Sequence, residues 1–566
     1  MSLRLEIELD KLDPAVPFRA SRNHLHHTWA RTFYTSPELY IQPESLEEVL
    51  KVVTLARRCR RRVVVVGCAH SPSDLTCSSS WIVNLDKYNN VLRVDKDAKT
   101  MTVQGGMRLA DFNRRAAEHG LTIRNLGSID EQSIVGAIAT ATHGSSLQHG
   151  LLSQNVKSLR IVLANGGSVK CSKDHNEELF RAALVSLGAL GIIVEVEFQL
   201  RQTTNIEWVQ SIEPLSLVTG TWNTDLWTQA EFTRVWWLPY LKRAIIWRAD
   251  TTTKPRRAPA SNWYGGSMGY HIYHNLLWLS NYFPRLLPAI EWFVFGMQYG
   301  FRNGTTASAV EEMRSGLLMN CLYSQFVNEW AIPLSKGLEA IDRLSAWLNG
   351  DEVTAAIPFS SEGLWVHSPI EVRVSDTSSV SPRPFLDPSC SSEPTLYLNA
   401  TLYRPYHQDP PCRERYYEAF EYLMRSLGGR PHWAKNFNTV TQTDIQRMYG
   451  ADLNSYLKIR QEVDPEGMFV GAWHRRLLLG SQETLLARNA LSLEEREVAR
   501  ESRRGGGMKW YGEVVGGSES VLGSATSEES FDLMQGAEAE QSMLMSKSAF
   551  VLEEVDGDEQ DHEKAD

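Results

Sequence analysis

Val63-Val64-Val65-Val66-Gly67-Cys68-Ala69-His70-Ser71-Pro72-Ser73-Asp74 is the stretch from which the fold is read. Four consecutive β-branched residues mark a strand buried on both faces. Gly67 ends it, and small residues then carry the chain to a histidine. A turn built from Gly67, Cys68, Ala69 and Ser71 lets backbone N–H groups approach an anionic ligand closely. An imidazole held at His70 then reaches a flat aromatic ligand. Taken alone, the same pattern also describes a histidine capping a loop.

Upstream, Leu39-Tyr40-Ile41 reads as a short strand, and Pro43-Glu44-Ser45 leads into a helix. Ser45 fits the N-cap, and Glu48 three residues on completes a capping box. Leu46, Val49, Leu50 and Val53 give that helix one apolar face. Downstream, strand-like runs stand at 81–85 and 100–104, and a helix at 109–119. Asn165-Gly166 reads as the turn of a hairpin over 155–168. A helix is expected at 180–187 and a strand at 191–200. The elements do not alternate regularly, so an α+β arrangement fits better than a doubly wound parallel sheet.

Beyond 201 the character changes. Alternating runs at 233–239, 244–249, 364–374 and 396–403 predict a large antiparallel sheet flanked by helices. Segment 375–394, rich in Ser, Pro and Asp, reads as a surface loop. The aromatic, proline-broken segment 271–299 reads either as a buried helical pair or as a membrane-interface element. No stretch is apolar enough to span a bilayer.

Charge is unevenly spread. Segment 481–566 holds 20 acidic and 8 basic residues, leaving 48 acidic and 50 basic residues in the remainder. The body is therefore nearly neutral and offers no broad basic face for nucleic acid. The run Arg57-Arg58-Cys59-Arg60-Arg61-Arg62 reads as the solvated end of a helix, with phosphate binding as the alternative. Seven cysteines without metal-ligand spacing suggest reduced thiols inside the cell. Residues 1–16 lack the apolar core of a signal peptide, and their acids argue against a transit peptide. His24, His26 and His27 have no acid or cysteine at useful spacing, so polar surface is expected there rather than a metal site.

A second segment sharpens the first: Asn125-Leu126-Gly127-Ser128-Ile129-Asp130-Glu131-Gln132-Ser133-Ile134-Val135-Gly136-Ala137-Ile138-Ala139-Thr140-Ala141-Thr142-His143-Gly144. Gly127 and Ser128 can turn backbone N–H groups toward a pyrophosphate. Gln132 and Ser133 open a short helix whose positive end favours phosphate. Gly136 and Ala137 allow close packing under a ring, and Thr140, Thr142 and His143 can hydrogen-bond its polar edge. Glu371 and Arg373 stand two apart on an expected strand, so they share one face.

These two segments, closed by Gly188-Ala189-Leu190-Gly191-Ile192-Ile193, resemble the FAD-binding domain of the vanillyl-alcohol-oxidase (PCMH-type) flavoproteins. Within that group the resemblance is to the aldonolactone oxidases. It extends through Trp29-Ala30-Arg31, Ile370-Glu371-Val372-Arg373, Arg430-Pro431-His432-Trp433-Ala434-Lys435 and Asp464-Pro465-Glu466-Gly467-Met468-Phe469, covering residues 29–476. It implies an N-terminal arm over 1–35, a PCMH-type FAD-binding domain of two α+β subdomains over 36–205 and a substrate (cap) domain over 206–480. The acidic tail 481–566, expected to be disordered, falls outside it.

The resemblance also implies roles. His70 would carry FAD covalently, with Ala69 standing where a glycine is often found. Gly67, Cys68, Ser71, Gly127, Ser128, Gln132, Ser133, Gly136, Thr140, Thr142, His143, Gly144, Gly188, Gly191 and Ile193 would bind the cofactor. Glu371 and Arg373 would line the substrate pocket. His432 and Lys435 would face the flavin, either of them helping the substrate proton depart, and His474 would add a wall. The implied reaction is oxidation of an aldono-1,4-lactone by hydride transfer to flavin N5. Oxygen is the expected acceptor, giving hydrogen peroxide, because Gly127 leaves room over the ring. The expected setting is (erythro)ascorbate biosynthesis at a mitochondrial membrane. Two alternatives stay open: a lactone dehydrogenase passing electrons to a quinone or cytochrome, and a non-catalytic flavin-fold binding protein.

Overall fold

The computed structural model describes residues 3–319 and 322–480; the acidic segment 481–566, read above as a disordered tail, lies outside the described residues. Strand β1 (Leu39–Ile41), helix α1 (Leu46–Cys59), and strands β2 (Val63–Val66) and β3 (Trp81–Asn84) form the first unit. β3 lies between β1 and β2 and runs parallel to both. Every residue of β3 is buried, with Val49, Val52, Val53 and Ala56 of α1 in the same core.

The Ser45 hydroxyl accepts from the Glu48 amide at 3.2 Å, as the N-cap reading requires. The return half of the expected capping box is displaced by one residue. The Glu48 carboxylate accepts from the Glu44 amide at 3.1 Å and pairs with Arg19. α1 ends where Arg60 turns left-handed at φ 53°. Arg61 is then buried against Glu38, so the arginine run is only partly a solvated helix end.

The second unit is antiparallel. Strands β4 (Val91–Asp95), β5 (Thr100–Gln104), β6 (Val156–Val162), β7 (Ser168–Ser172) and β8 (Ile192–Gln199) lie in the order β7-β6-β8-β5-β4. Gly166, at φ +85°, turns the β6–β7 hairpin. Helix α2 (Leu109–Ala117) and the short α3 (Ile134–Ala139), capped at Ser133, belong to this unit. The helix expected at 180–187 lies earlier, at Glu177–Ala183. Leu187 and Gly188 take positive φ values of 53° and 77°, a conformation no right-handed helix contains.

The third unit is an eight-stranded sheet of β9 (Asn205–Pro214), β10 (Phe232–Leu238), β11 (Arg243–Thr252), β12 (Thr305–Glu312), β13 (Gln325–Pro333), β14 (Ile370–Ser375), β15 (Thr395–Tyr403) and β16 (Arg430–Pro431). Their order is β12-β9-β11-β10-β14-β15-β13-β16, with every adjacent pair antiparallel. The strand expected over 364–374 begins only at Ile370, because Pro369 supplies no ladder donor. Asp464 accepts from the Met468 and Phe469 amides at 2.9 and 2.8 Å, which returns these two residues to the core of the first unit.

Segment 271–299 is a helical pair, α4 (Ser267–Tyr282) and α5 (Leu287–Tyr299), separated at Pro284. Tyr273, Leu277, Val294 and Phe295 are buried, whereas Tyr282, Phe283 and Trp292 are exposed. No described helix is long and apolar enough to cross a membrane. Segment 375–394 departs from the surface-loop reading only in part: Ser378, Ser379, Ser381, Ser391 and Ser392 are exposed. Ser375, Thr377, Asp387 and Ser389 are fully buried. Thr377 pairs with the Ser389 hydroxyl at 2.6 Å, and Ser375 pairs with the Tyr397 hydroxyl of β15 at 2.9 Å. Ser, Pro and Asp content alone did not distinguish this packed loop from a solvated one.

Candidate active site

Two cavities meet at the end of β2. The smaller, about 100 Å³, is lined by Gly67, Cys68, Ala69, Ser71, Ser133, Gly136, Thr140, Gly188, Gly191, Ile193 and His474. The larger, about 380 Å³, is lined by Gly127, Ser128, Thr142, His143, Glu371, Arg373, His432 and Lys435. His70 and Gln132 line both. The residues singled out in two distant sequence segments therefore surround one elongated space. Gly144 lines neither cavity: its carbonyl takes Nδ1 of His143 at 2.9 Å, and a Cβ there would come 1.9 Å from Asn125.

The turn after β2 is tightly set. Ala69 sits at φ 53°, the region where a glycine carries no steric cost. Trp29 donates its amide to the Ala69 carbonyl at 2.8 Å. Its indole stacks on His70 at 5.1 Å and 19°. Asn436 bonds the Pro72 carbonyl at 2.9 Å, and Ser73 bonds the Ala434 carbonyl at 3.1 Å. The His70 loop is thus fastened to the segment that carries His432 and Lys435. Burial lowers the His70 pKa to about 3, and the charges of Arg108 and Lys435 act the same way.

The sheet supplies the opposite wall. Ile370, Val372 and Val374 of β14 are buried in the core, so alternation turns Glu371 and Arg373 to the other face. Cross-strand pairing sets Trp236, Glu371, Asn399 and Glu329 in one row over four strands, and all four line the larger cavity. Glu371 is held loosely, with Asn399 at 3.3 Å and Ser128 and Arg373 Nε at 3.5 Å.

Glu329, fully buried in β13, is the centre that the sequence reading missed. Its carboxylate accepts from Arg373, lies 3.1 Å from Nε2 of His143 and 3.7 Å from the Lys435 ammonium. Burial alone would raise its pKa; Arg373, then His143 and Lys435, hold it well below the carboxylate range. Burial would lower Arg373, but Glu329 and Glu371 outweigh it and raise the guanidinium pKa. The available signal was an acid, beside Asn328, inside the otherwise apolar strand Phe326-Val327-Asn328-Glu329-Trp330-Ala331-Ile332. Arg234 was also missed: it is buried with its guanidinium 5.4 Å from the Trp247 ring, and burial lowers its pKa to about 10.

Both ring nitrogens of His143 face oxygens, the Gly144 carbonyl and Glu329. Burial and Arg373 push this imidazole down, so the proton on the His143–Glu329 line belongs to the pair. Nδ1 of His432 accepts the Ala434 amide at 3.2 Å, and burial holds this ring well below its usual pKa. A neutral His432 therefore turns its other nitrogen, as N–H, away from that bond. His143, Glu329 and His432 bring one ligand atom each within 4.8 Å of one another. Arg373 and Lys435 already neutralise the carboxylate, which opposes a cation there.

The N-terminal histidines do not converge. His24 stacks on Tyr40 at 3.7 Å, His26 bonds Thr76 at 3.1 Å and His27 bonds the Thr28 carbonyl at 3.0 Å. His26 is buried, contrary to the surface reading. His474 bonds the Leu187 carbonyl at 2.8 Å.

The sequence profile of D-arabinono-1,4-lactone oxidase matches residues 196–477, and that of an FAD binding domain matches residues 37–172. A putative D-arabinono-1,4-lactone oxidase of Neurospora crassa is 51% identical over 542 residues, covering 91% of this chain and 96% of that protein. The chain belongs to the D-arabinono-1,4-lactone oxidase family. Members from Yarrowia lipolytica and Saccharomyces cerevisiae are 39% and 36% identical, each over 80% of this chain and 96% of its own length. Among solved structures, cholesterol oxidase from B. sterolicum superposes with a TM-score of 0.66 at 15% identity, covering 82% of this chain and 99% of its own. A solvent-stable cholesterol oxidase gives 0.63 at 15% identity, over 81% and 98%. Those likenesses establish the α+β fold.

The family's FAD fits the residues present. A Cβ on Gly67 would lie 2.1 Å from the Ser133 hydroxyl, and one on Gly191 would lie 2.5 Å from the Val162 carbonyl. Both glycines line the smaller cavity, where they keep its walls slim. The Gln132 side-chain oxygen is buried without a hydrogen-bond partner among the described residues, at the junction of the two cavities.

Proposed function

We propose that the chain oxidises a hydroxyl-bearing carbon of D-arabinono-1,4-lactone or a similar aldono-1,4-lactone, with FAD covalently held on His70. The observation that carries this reading is the presence of Glu371 and Arg373 in one cavity with His70. When bound, FAD would supply a hydride acceptor at N5, with oxygen as the final oxidant giving hydrogen peroxide.

The remaining work falls to the chain. Neutral His70, stacked on Trp29, offers a ring nitrogen for attachment. Arg373 holds the substrate hydroxyl oxygen and stabilises the charge that develops on it. Glu371 binds the hydroxyl group through lone pairs that its long contacts leave available. His432 and Lys435 both present donors, so the departing proton passes to Glu371 rather than to either of them. Gly127, which lines the cavity, keeps space for oxygen.

Exposed Tyr282, Phe283 and Trp292 on the α4–α5 pair support peripheral contact with a membrane, which we place at the mitochondrion. We assign the reaction to (erythro)ascorbate biosynthesis. The direct test is to mix the yellow protein with D-arabinono-1,4-lactone under anaerobic conditions. Bleaching, followed by hydrogen peroxide when air is admitted, is expected. A protein that stays yellow with every aldono-1,4-lactone is not this enzyme.

A further inference from the structure

Arg234 on β10 is 2% exposed, and neither its Nε nor its Nη2 has a hydrogen-bond partner among the described residues. Its guanidinium faces the ring of Trp247, which stands opposite it on β11. An enclosed cation without a hydrogen-bonded acid is costly, and an apolar side chain of similar volume is often as stable or more so. Packing alone therefore does not account for a guanidinium here. The ladder offers an account. Trp236 of β10 pairs with Glu371 of β14, and Arg234, two residues from Trp236, shares the face that carries Glu371 and Arg373. Arg234 is thus the diagonal neighbour of Glu371, and diagonal positions lie ~7–8 Å apart, within reach of long side chains.

We propose that Arg234 is a positioning residue for the lactone oxidation: its charge, acting across the ladder, holds the Glu371 carboxylate in place without bonding it. Glu371 needs such a hold, because its contacts with Asn399, Ser128 and Arg373, at 3.3 to 3.5 Å, are long for a carboxylate. Arg373 faces Glu329 as well as Glu371, so its charge serves two acids. Burial lowers the Arg234 pKa to about 10; the charge of Glu371 works against that loss and the charge of Arg373 adds to it. The guanidinium is therefore charged at neutral pH and felt by Glu371. Arg234 is not among the residues lining the larger cavity, so it acts on the substrate only through Glu371. With two guanidiniums on it, the acid meets the substrate hydroxyl in one orientation. The proposal rests on the role given to Glu371 above.

Four flavin-loaded proteins test this: the parent, Arg234→Met, Glu371→Gln and the double variant. Urea midpoints are read first, without lactone. Arg234→Met removes a buried charge in either background, but only in the parent does it also remove an attraction to Glu371. It is expected to raise the midpoint more in the Glu371→Gln background than in the parent. Equal shifts overturn the proposal. Anaerobic bleaching by D-arabinono-1,4-lactone is then read in a single turnover, so that slow variants remain measurable. Arg234→Met is expected to slow bleaching about tenfold while Glu371 is present, and by under about twofold in the Glu371→Gln background. No slowing in the parent background, or equal slowing in both, overturns the positioning role, since a merely structural arginine would affect both alike. If the parent oxidises no lactone, the function above fails, and the urea midpoints still decide whether Arg234 acts on Glu371.

Discussion

Nε2 of His143 lies 3.1 Å from Oε1 of Glu329, and neither side chain reaches solvent. Arg373 bonds the same carboxylate. The segment that carries His143 and the strand that carries Arg373 therefore share one buried acid. Glu329→Gln keeps the shape and removes the charge that balances Arg373 and Lys435. It should cost about 3 kcal/mol of stability at neutral pH, the scale for breaking a buried ion pair. The folded pKa lies below the ordinary 4.5, so this contribution is complete above that value and is lost as pH falls through the folded value. Urea titrations between pH 7 and 3 should show this acid limb in the parent and its absence in the variant.

Arg373→Lys keeps the charge but loses the planar fork that bonds Glu329 and, in the proposed function, holds the substrate oxygen as well. We expect kcat/KM for the lactone to fall roughly 100-fold, as on removal of an oxyanion donor. Steady-state kinetics check this, and a change under twofold would dismiss Arg373 as the hydroxyl clamp.

Gly127→Ala places a Cβ 3.3 Å from Thr142 Cγ2 and 3.5 Å from the His143 carbonyl. The contact is tight without being prohibitive, so the protein should fold. Stopped-flow reoxidation by oxygen should slow by about tenfold, or ~1.4 kcal/mol, with anaerobic bleaching by lactone nearly unchanged. An unaltered oxygen rate would remove Gly127 from the oxygen path.

Glu291 on α5 is 3% exposed, and burial pushes its pKa up to about 8. Its folded value exceeds the unfolded one, so its contribution is intact below pH 4.5 and is lost as pH rises toward 8. Glu291→Gln should raise the urea midpoint at pH 8 and leave it unchanged at pH 4.5. Equal pH profiles for the two proteins would mean that the carboxyl is ionised at neutral pH.

The cofactor half was legible because its chemistry is local. Val63–Val66 announces a buried strand, and the small residues after it have few uses besides close approach. Gln132 and Ser133, far along the chain, join that turn in the same cavity. The substrate half was legible only as the pair Glu371 and Arg373, whose spacing of two makes their shared face certain on any strand. Glu329 and Asn399 joined them through strand register, which depends on pairing over long sequence separations. The burial of part of the loop 375–394 was hidden for a related reason. Thr377, Asp387 and Ser389 bond one another inside the loop, and composition carries no record of such closure.

The central claim is that His70 tethers the flavin between the two halves of the chain. Acid precipitation of the purified protein, followed by washing, measures this directly. Yellow colour is expected to remain with the parent pellet and to wash out of His70→Ala. Colour lost from the parent, or kept equally by the variant, would contradict the account.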